Sequence, residues 1–355
     1  MTFLGIDHST EYAGEFAPTT TYLNTATCGL LPRRAVEAVR DLTAQLGAGE
    51  RVGSGDFEKV DAARDSFARL AGVDSSRVAT GGSVAVHVGL IAASLPAGAE
   101  VLLPEGDFSS LINPFVVRGD LKLRYAPLEG LAEAVRPGTA LVAFSTVQSA
   151  DGRTADCAAI RAAAAAHGAR TLADATQSVG WLPFDADAYD YTVTGAFKWL
   201  LCPRGTSFLT VTEAAQDSLT PLHAGWLAAA DGWLSTYGPL GDIAPDARRF
   251  DEPPAFLAYH AAAAALPLVE ELGVDAIHAH DTALADRYRA GLAALGHTPV
   301  PGTSPIVSVP GLGDREPELG RAGIRAAARA GHLRATFHLY NTEADVDRLL
   351  DVLSG

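Results

Sequence analysis

The sequence predicts an α/β fold: a large domain built on a mostly parallel sheet with helices on both faces, followed by a smaller α+β domain. Three observations carry that expectation. Short apolar runs alternate with alanine-rich helical segments through the middle of the chain, and such a βαβα rhythm builds parallel sheets. A chain of 355 residues is long enough for one large domain with a buried core plus a small one. Between residues 223 and 254 the rhythm dissolves into Gly, Pro, Trp and Asp, a stretch too long for an ordinary connection. The expected organisation is therefore an N-terminal segment (1–20), a large domain (21–253, including the loop from 223) and a small domain (254–355).

Taken in order, helices are expected at 35–46 and 58–70, then a short strand leading into Ala79-Thr-Gly-Gly-Ser83-Val84 and a helix at 84–95. Strands follow as short apolar runs at 101–103, 122–125, 140–145, 170–173, 191–194 and 207–211. Between them lie helices at 128–135 and 156–167, the second opened by Asp156 and closed by Gly168. Beyond the long loop come helices at 254–272 and 274–295, a strand at 306–309, a helix at 317–330, a strand at 332–339 and a last helix at 343–353. The alanine tracts 162–166 and 261–265 suit helix interiors. No internal repeat is apparent.

With 27 basic and 42 acidic residues the chain carries a formal charge of −15, which disfavours nucleic acid and anionic membrane as partners. Three cysteines without paired spacing argue against a disulfide framework or a structural zinc site, and fit a reducing cytoplasm. Residues 1–20 lack the basic start and apolar run of a secretory signal. The longest apolar stretches, 84–95 and 258–269, fall short of the ~20 residues that span a bilayer.

Lysine is rare: Lys59, Lys122 and Lys198 stand against 24 arginines. Lys198 lies in Gly-Ala-Phe-Lys-Trp-Leu-Leu, directly after an expected strand. An amine among apolar neighbours is either a snorkelling side chain or one pushed toward its neutral form, the state that attacks a carbonyl to form a Schiff base. Asp174, in Asp-Ala-Thr-Gln177, falls at the carboxyl end of a strand, the edge where parallel sheets bind ligands. A carboxylate there can protonate a ring nitrogen, or simply close an Asx turn. Gly82, Ser83 and Val84 open a helix whose amides suit a phosphate. The segment lacks both the Gly-Lys-Ser/Thr of a P-loop and the full Gly-x-Gly-x-x-Gly of dinucleotide enzymes, so a nucleotide-dependent oxidoreductase is disfavoured.

The order of these motifs resembles the class V aminotransferase family of fold type I pyridoxal-phosphate enzymes, which includes cysteine desulfurases, kynureninases, isopenicillin N epimerases and carbon–sulfur lyases. The resemblance runs from Tyr22-Leu-Asn24 through the phosphate loop, Val147-Gln148-Ser149 and Asp174-Ala-Thr-Gln177 to Lys198-Trp-Leu. It closes at Leu333-Arg334 and Tyr340-Asn341-Thr. It implies pyridoxal 5′-phosphate as cofactor, Lys198 as the catalytic lysine that carries it, and Asp174 on the pyridine nitrogen. It places Gln177 and Gln148 near the ring hydroxyl and Phe108 against the ring. It makes Arg334 the grip for the substrate carboxylate, which a guanidinium fork suits, with Asn24 beside it.

The chain departs from the family pattern where relatives hold phosphate with Ser and His just before the lysine. Gly195 and Phe197 stand there, leaving Thr194 as the expected substitute, and Glu252-Pro253-Pro254 replaces a Gly-Thr pair often lent by a neighbouring subunit. The family's cysteine desulfurases take sulfur on a mobile Cys shortly before the arginine. No Cys follows Cys202, so persulfide chemistry is not expected. The resemblance implies a homodimer that forms an external aldimine with an amino acid and removes its α-proton. The outcome would be lyase-type elimination or transamination; the alternatives are epimerisation or a catalytically silent binding protein.

Overall fold

The structure is a computed structural model and describes residue 12, residues 14–51 and residues 57–355. The expectation for the start of the chain falls mainly outside these residues. The chain runs β1 (Thr21–Tyr22), α1 (Arg33–Ala48), α2 (Phe57–Ala71), β2 (Val78–Gly81), α3 (Val84–Ser94), β3 (Glu100–Pro104), α4 (Ser109–Arg118) and β4 (Lys122–Ala126). It continues with α5 (Leu131–Ala134), β5 (Thr139–Ser145), α6 (Cys157–His167), β6 (Arg170–Asp174), β7 (Tyr191–Gly195), β8 (Ser207–Val211) and α7 (Glu213–Gln216). The last part is α8 (Phe256–Leu272), α9 (Val274–Ala294), β9 (Ile306–Val309), α10 (Glu316–Arg321), β10 (Ile324–Arg325), β11 (Ala327–Arg329), β12 (His332–Thr336) and α11 (Glu343–Ser354).

Seven strands form the main sheet in the order β2-β8-β7-β6-β5-β3-β4. The pairs from β7 through β4 are all parallel, and β8 alone runs against its neighbours. The fold class expected from the sequence is therefore the one observed. Strands β5 to β8 are buried along nearly their whole length, as strands covered on both faces must be. On one face α3 and α4 close a core with Leu103, Leu141 and Val193; on the other, α6 packs over Val142 and Phe144. Helix α8 lies along α1 and α2, and its apolar face joins Phe67, Phe208 and Trp199 in the largest core. A separate core of Leu284, Tyr288, Val307, Phe337 and Leu349 holds α9, α11 and the three-stranded sheet β11-β12-β9. Strand β1 pairs with β10, so the amino-terminal motif is stitched onto the C-terminal unit.

Four expectations need correction. The helix expected at 317–330 stops at Arg321, because Gly323 adopts a left-handed φ of 76°. The alanines that follow enter β11, where Ala327 pairs with Arg334. The strand expected to run to Leu339 ends at Thr336, where a turn takes over: the Asn341 side chain accepts from the His338 amide. The helix expected at 128–135 divides into a 3-10 turn (Leu128–Gly130) and α5. Helix α4 was not expected, since Pro114 in its middle disguises its period. Among the described residues no helix is long and apolar enough to cross a membrane.

Candidate active site

The carboxyl ends of β5, β6 and β7 open onto a cavity of about 600 Å³. Position along these strands fixes what reaches it: Ser145 ends β5, Asp174 ends β6, and Lys198 sits on the turn after β7. That turn is tightly held. The Gly29 amide donates to the Phe197 carbonyl at 2.9 Å, and a Cβ on Gly29 would stand 2.1 Å from the Lys198 carbonyl, so only glycine lets the amino-terminal strap lie so close. The Trp199 carbonyl lies 3.0 Å from His338 Nε2, and His338 Nδ1 meets buried Asp281 at 2.8 Å.

Lys198 is buried beside two aromatic faces, its Nζ 5.2 Å from the Phe108 ring centroid and 5.7 Å from that of Phe197. Burial drives its pKa down to about 8; Asp174 opposes the shift, while Arg334 and Arg204 add to it. Asp174 moves the other way. Desolvation lifts its carboxyl to about 6 even though Oδ1 accepts from the Thr176 amide at 2.9 Å, and the nearby Asp107 carboxylate adds to the rise. Both groups are thus pushed toward neutral forms, a pattern typical of reactive sites.

The other expected residues divide into those facing the cavity and those supporting it. Ser83 and Val84 line it. Ser83 caps α3 without a side-chain hydrogen bond, leaving first-turn amides open for an anion. Gly82 does not line it: its amide donates to Glu252 Oε2 at 2.7 Å. Phe108 is 47% exposed and lines the cavity, as a ring-stacking residue must, rather than filling core. Gln148 lines it while its Nε2 donates to Asp107 at 3.1 Å. Gln177 lines it too, but its amide bridges structure: Nε2 donates to the Ala26 carbonyl at 3.0 Å and Oε1 accepts from the Trp199 indole at 2.8 Å. Thr194 lies outside the lining, its buried hydroxyl without a partner. Thr176 faces the cavity instead, with its hydroxyl accepting from the Gly195 amide at 2.9 Å.

Arg334 rises from β12 into the opposite wall and is only 2% exposed. It donates to the Ser149 carbonyl, to Thr27 Oγ1 at 2.6 Å and to Asn24 Oδ1 at 3.4 Å; its Nε has no partner. Asn24 thus holds Arg334 from behind and does not line the cavity. Burial and the neighbouring Arg329 pull the Arg334 pKa down to about 10.

Sequence reasoning missed Asp107, Thr176, Arg204 and Arg329. Asp107 adjoins Phe108, and its carboxylate gathers the Ser145 amide and hydroxyl at 2.8 and 2.5 Å, so its proximity to a singled-out residue was the available signal. Arg204 stacks its guanidinium 4.3 Å from the Phe197 ring centroid, a contact no sequence spacing announces. In the 223–254 segment, Trp226 and Trp233 cluster with Phe57 around a separate recess and do not line this cavity.

A buried lysine after a sheet strand, a carboxyl at the end of the adjacent strand and a helix start all face one cavity, the arrangement that the sequence resemblance to fold type I pyridoxal-phosphate enzymes implies. Residues 21–310 match the family described as Aminotransferase class-V, and the chain belongs to that family. It is 31% identical over 390 aligned positions to isopenicillin N epimerase of Streptomyces clavuligerus, covering 95% of each chain. It is 29% identical to an uncharacterized aminotransferase of Bacillus subtilis, covering 84% of each. Kynureninase of Deinococcus radiodurans is 27% identical over 75% of this chain and 70% of its own. Among solved structures, a cystine C–S lyase in complex with cysteine persulfide superposes with a TM-score of 0.85 at 24% identity, covering 97% of this chain and 99% of its own. Cysteine desulfurase of Thermococcus onnurineus gives a TM-score of 0.81 at 22% identity over 94% of each chain. The cofactor of the family is pyridoxal 5′-phosphate, and the residues present fit it: a buried amine, a carboxyl with one oxygen uncommitted, an aromatic face and open helix amides.

Proposed function

We propose that this chain binds an amino acid beside pyridoxal phosphate, removes its α-proton and directs the product to lyase-type elimination or transamination. The observation that carries the reading is the convergence of Lys198, Asp174 and Arg334 on one cavity. Ser83 and Val84 amides would hold the phosphate, Phe108 would cover one ring face, and Asp174 would meet the ring nitrogen. The bound cofactor supplies an electron sink for the charge left at Cα. Arg334 orients the substrate through its carboxylate, and its buried setting makes that contact strong. Lys198, neutral above about pH 8, is placed to take a proton at Nζ. Gln177 and His338 keep the lysine turn in place through Trp199.

Cys157 and Cys202 lie outside the cavity lining and burial pushes their thiols up; Cys28 follows Thr27 beside the cavity, where burial raises its thiol although the nearby Arg204 and Lys198 oppose the rise. This supports elimination or transamination over persulfide transfer. The similarity to isopenicillin N epimerase favours epimerisation as the second reading. That reaction needs a second proton carrier on the face opposite Lys198.

The test is a visible spectrum of the purified protein with pyridoxal phosphate, recorded before and after a panel of amino acids that includes cysteine conjugates. Release of a keto acid and ammonia marks a lyase, conversion of the cofactor to its amine form marks an aminotransferase, and inversion of the substrate marks an epimerase. Absence of any cofactor band would refute the proposal.

A further inference from the structure

Two guanidinium groups meet at one hydroxyl inside this cavity. Arg334 from β12 and Arg329 from the end of β11 both donate to Thr27 Oγ1, at 2.6 and 3.2 Å, and both line the cavity with Lys198. The hairpin imposes this meeting. Arg334 pairs with Ala327, and Arg329 lies two residues beyond Ala327, so the two arginines are diagonal neighbours on one face.

Neither has a carboxylate within ion-pair distance among the described residues. The acids that line the cavity are engaged elsewhere: Asp107 takes the Ser145 and Phe108 amides and the Gln148 side chain, and Asp174 takes the Thr176 amide. Two like charges that share one acceptor repel each other; water screens the exposed Arg329, and an anion from a ligand relieves the pair further. The α-carboxylate on Arg334 supplies one anion. The two forks converge on the Thr27 hydroxyl although their Cα atoms stand roughly 7–8 Å apart as diagonal hairpin partners, so an α-carboxylate seated on the buried Arg334 leaves the Arg329 fork for a second carboxylate a short carbon chain away. Arg329 also stands at the exposed rim while Arg334 is buried, so a side chain pointing outward from the α-carbon would reach Arg329 second. Each fork keeps unused N–H groups: Arg329 spends Nη1 on the Ala328 carbonyl and Nη2 on Thr27, and Arg334 leaves Nε free.

We propose that Arg329 is a specificity residue that selects amino acids with an acidic side chain of aspartate or glutamate size, its guanidinium pairing with the distal carboxylate while Arg334 holds the α-carboxylate. This rests on the amino-acid reading above and narrows it to a substrate class.

Spectral titration of the cofactor-loaded protein with aspartate, glutamate, asparagine, glutamine and alanine tests it. At least one acid should bind ten-fold or more tightly than its amide, and R329Q should bring that ratio close to one. Equal binding of acids and amides would overturn the proposal. So would an R329Q variant that weakens acid, amide and alanine alike, since Arg329 would then be a second grip on the α-carboxylate. Calorimetry of succinate against propionate, without added cofactor, separates this proposal from the reading beneath it. If no amino acid perturbs the spectrum while succinate binds more tightly than propionate and R329Q removes the difference, the dicarboxylate site stands and the amino-acid chemistry fails. Equal binding of succinate and propionate overturns the site itself.

Discussion

Lys198 and Asp174 show how one cavity prepares two groups in opposite senses. Both lose water, so the amine falls to about 8 and the carboxyl rises to about 6, while their mutual attraction holds each back from a larger shift. A depressed lysine is neutral above its own pKa, and the neutral amine attacks the cofactor aldehyde. The rate at which cofactor-free protein loads pyridoxal phosphate should therefore climb as pH rises toward 8 and level off above it, whereas an ordinary lysine would keep the rate climbing past pH 10. Stopped-flow absorbance reads this directly. Asp174→Asn removes the charge that supports the ammonium form, so the midpoint should move to lower pH. A midpoint that stays put or rises would refute the coupling. Lys198→Ala should abolish the Schiff-base band and leave the thermal transition nearly unchanged. Much of this site was legible in the sequence because Lys198 and Asp174 each follow a strand whose end predicts exposure to ligand. Thr194 lies off the cavity lining because residues along a strand alternate faces, and Thr176, which does reach it, stands on the turn after β6, where strand periodicity gives no signal.

At the scale of elements, the lysine turn depends on a contact that crosses the molecule. His338 follows β12, Asp281 lies on α9 and Trp199 follows β7; the imidazole joins all three while fully buried. Removing the ring leaves the Asp281 carboxylate buried with neither oxygen paired, since Oδ1 already lacks a partner. Such a loss costs roughly 3–5 kcal/mol. His338→Ala should lower the unfolding free energy by about that much in denaturant titrations, and it should also perturb the cofactor band, because the Trp199 carbonyl loses its tether. His338→Ala combined with Asp281→Leu should recover much of the stability but not the band. A stability loss without any spectral change would show that the contact braces the core alone. Nothing in the spacing of His338 predicted this link, since its partners lie 57 and 139 residues away. Elements with a strong period or a clean cap, such as α6 between Asp156 and Gly168, were legible for the opposite reason: their cause is local. The 317–330 stretch misled because alanine suits a helix, while the glycine at 323 and the pairing of Ala327 with Arg334 decide otherwise.

At the scale of the whole molecule, the segment after β8 presents apolar surface that the chain itself does not cover. Leu234 is 85% exposed and Tyr237 91%, with Trp233 beside them at 74%. Scattered exposed apolar residues are ordinary, but three within five positions, braced by rings of Trp226 and Phe57, form a patch of the kind that marks an interface. The net charge of −15 repels any second copy at long range, so self-association has to come from apolar contact of this kind. The homodimer implied by the family resemblance gives the patch an occupant, and the prediction is that light scattering finds twice the chain mass at micromolar concentration. Leu234→Glu with Tyr237→Glu introduces charge where both side chains already face water, so the isolated fold should keep its thermal transition while the assembly shifts to monomer. Raising the salt concentration should strengthen the native dimer by screening the overall repulsion and should not rescue the variant. A variant that remains dimeric would assign the interface to another face, and a native chain that is monomeric throughout would leave the cavity to be completed by this chain alone.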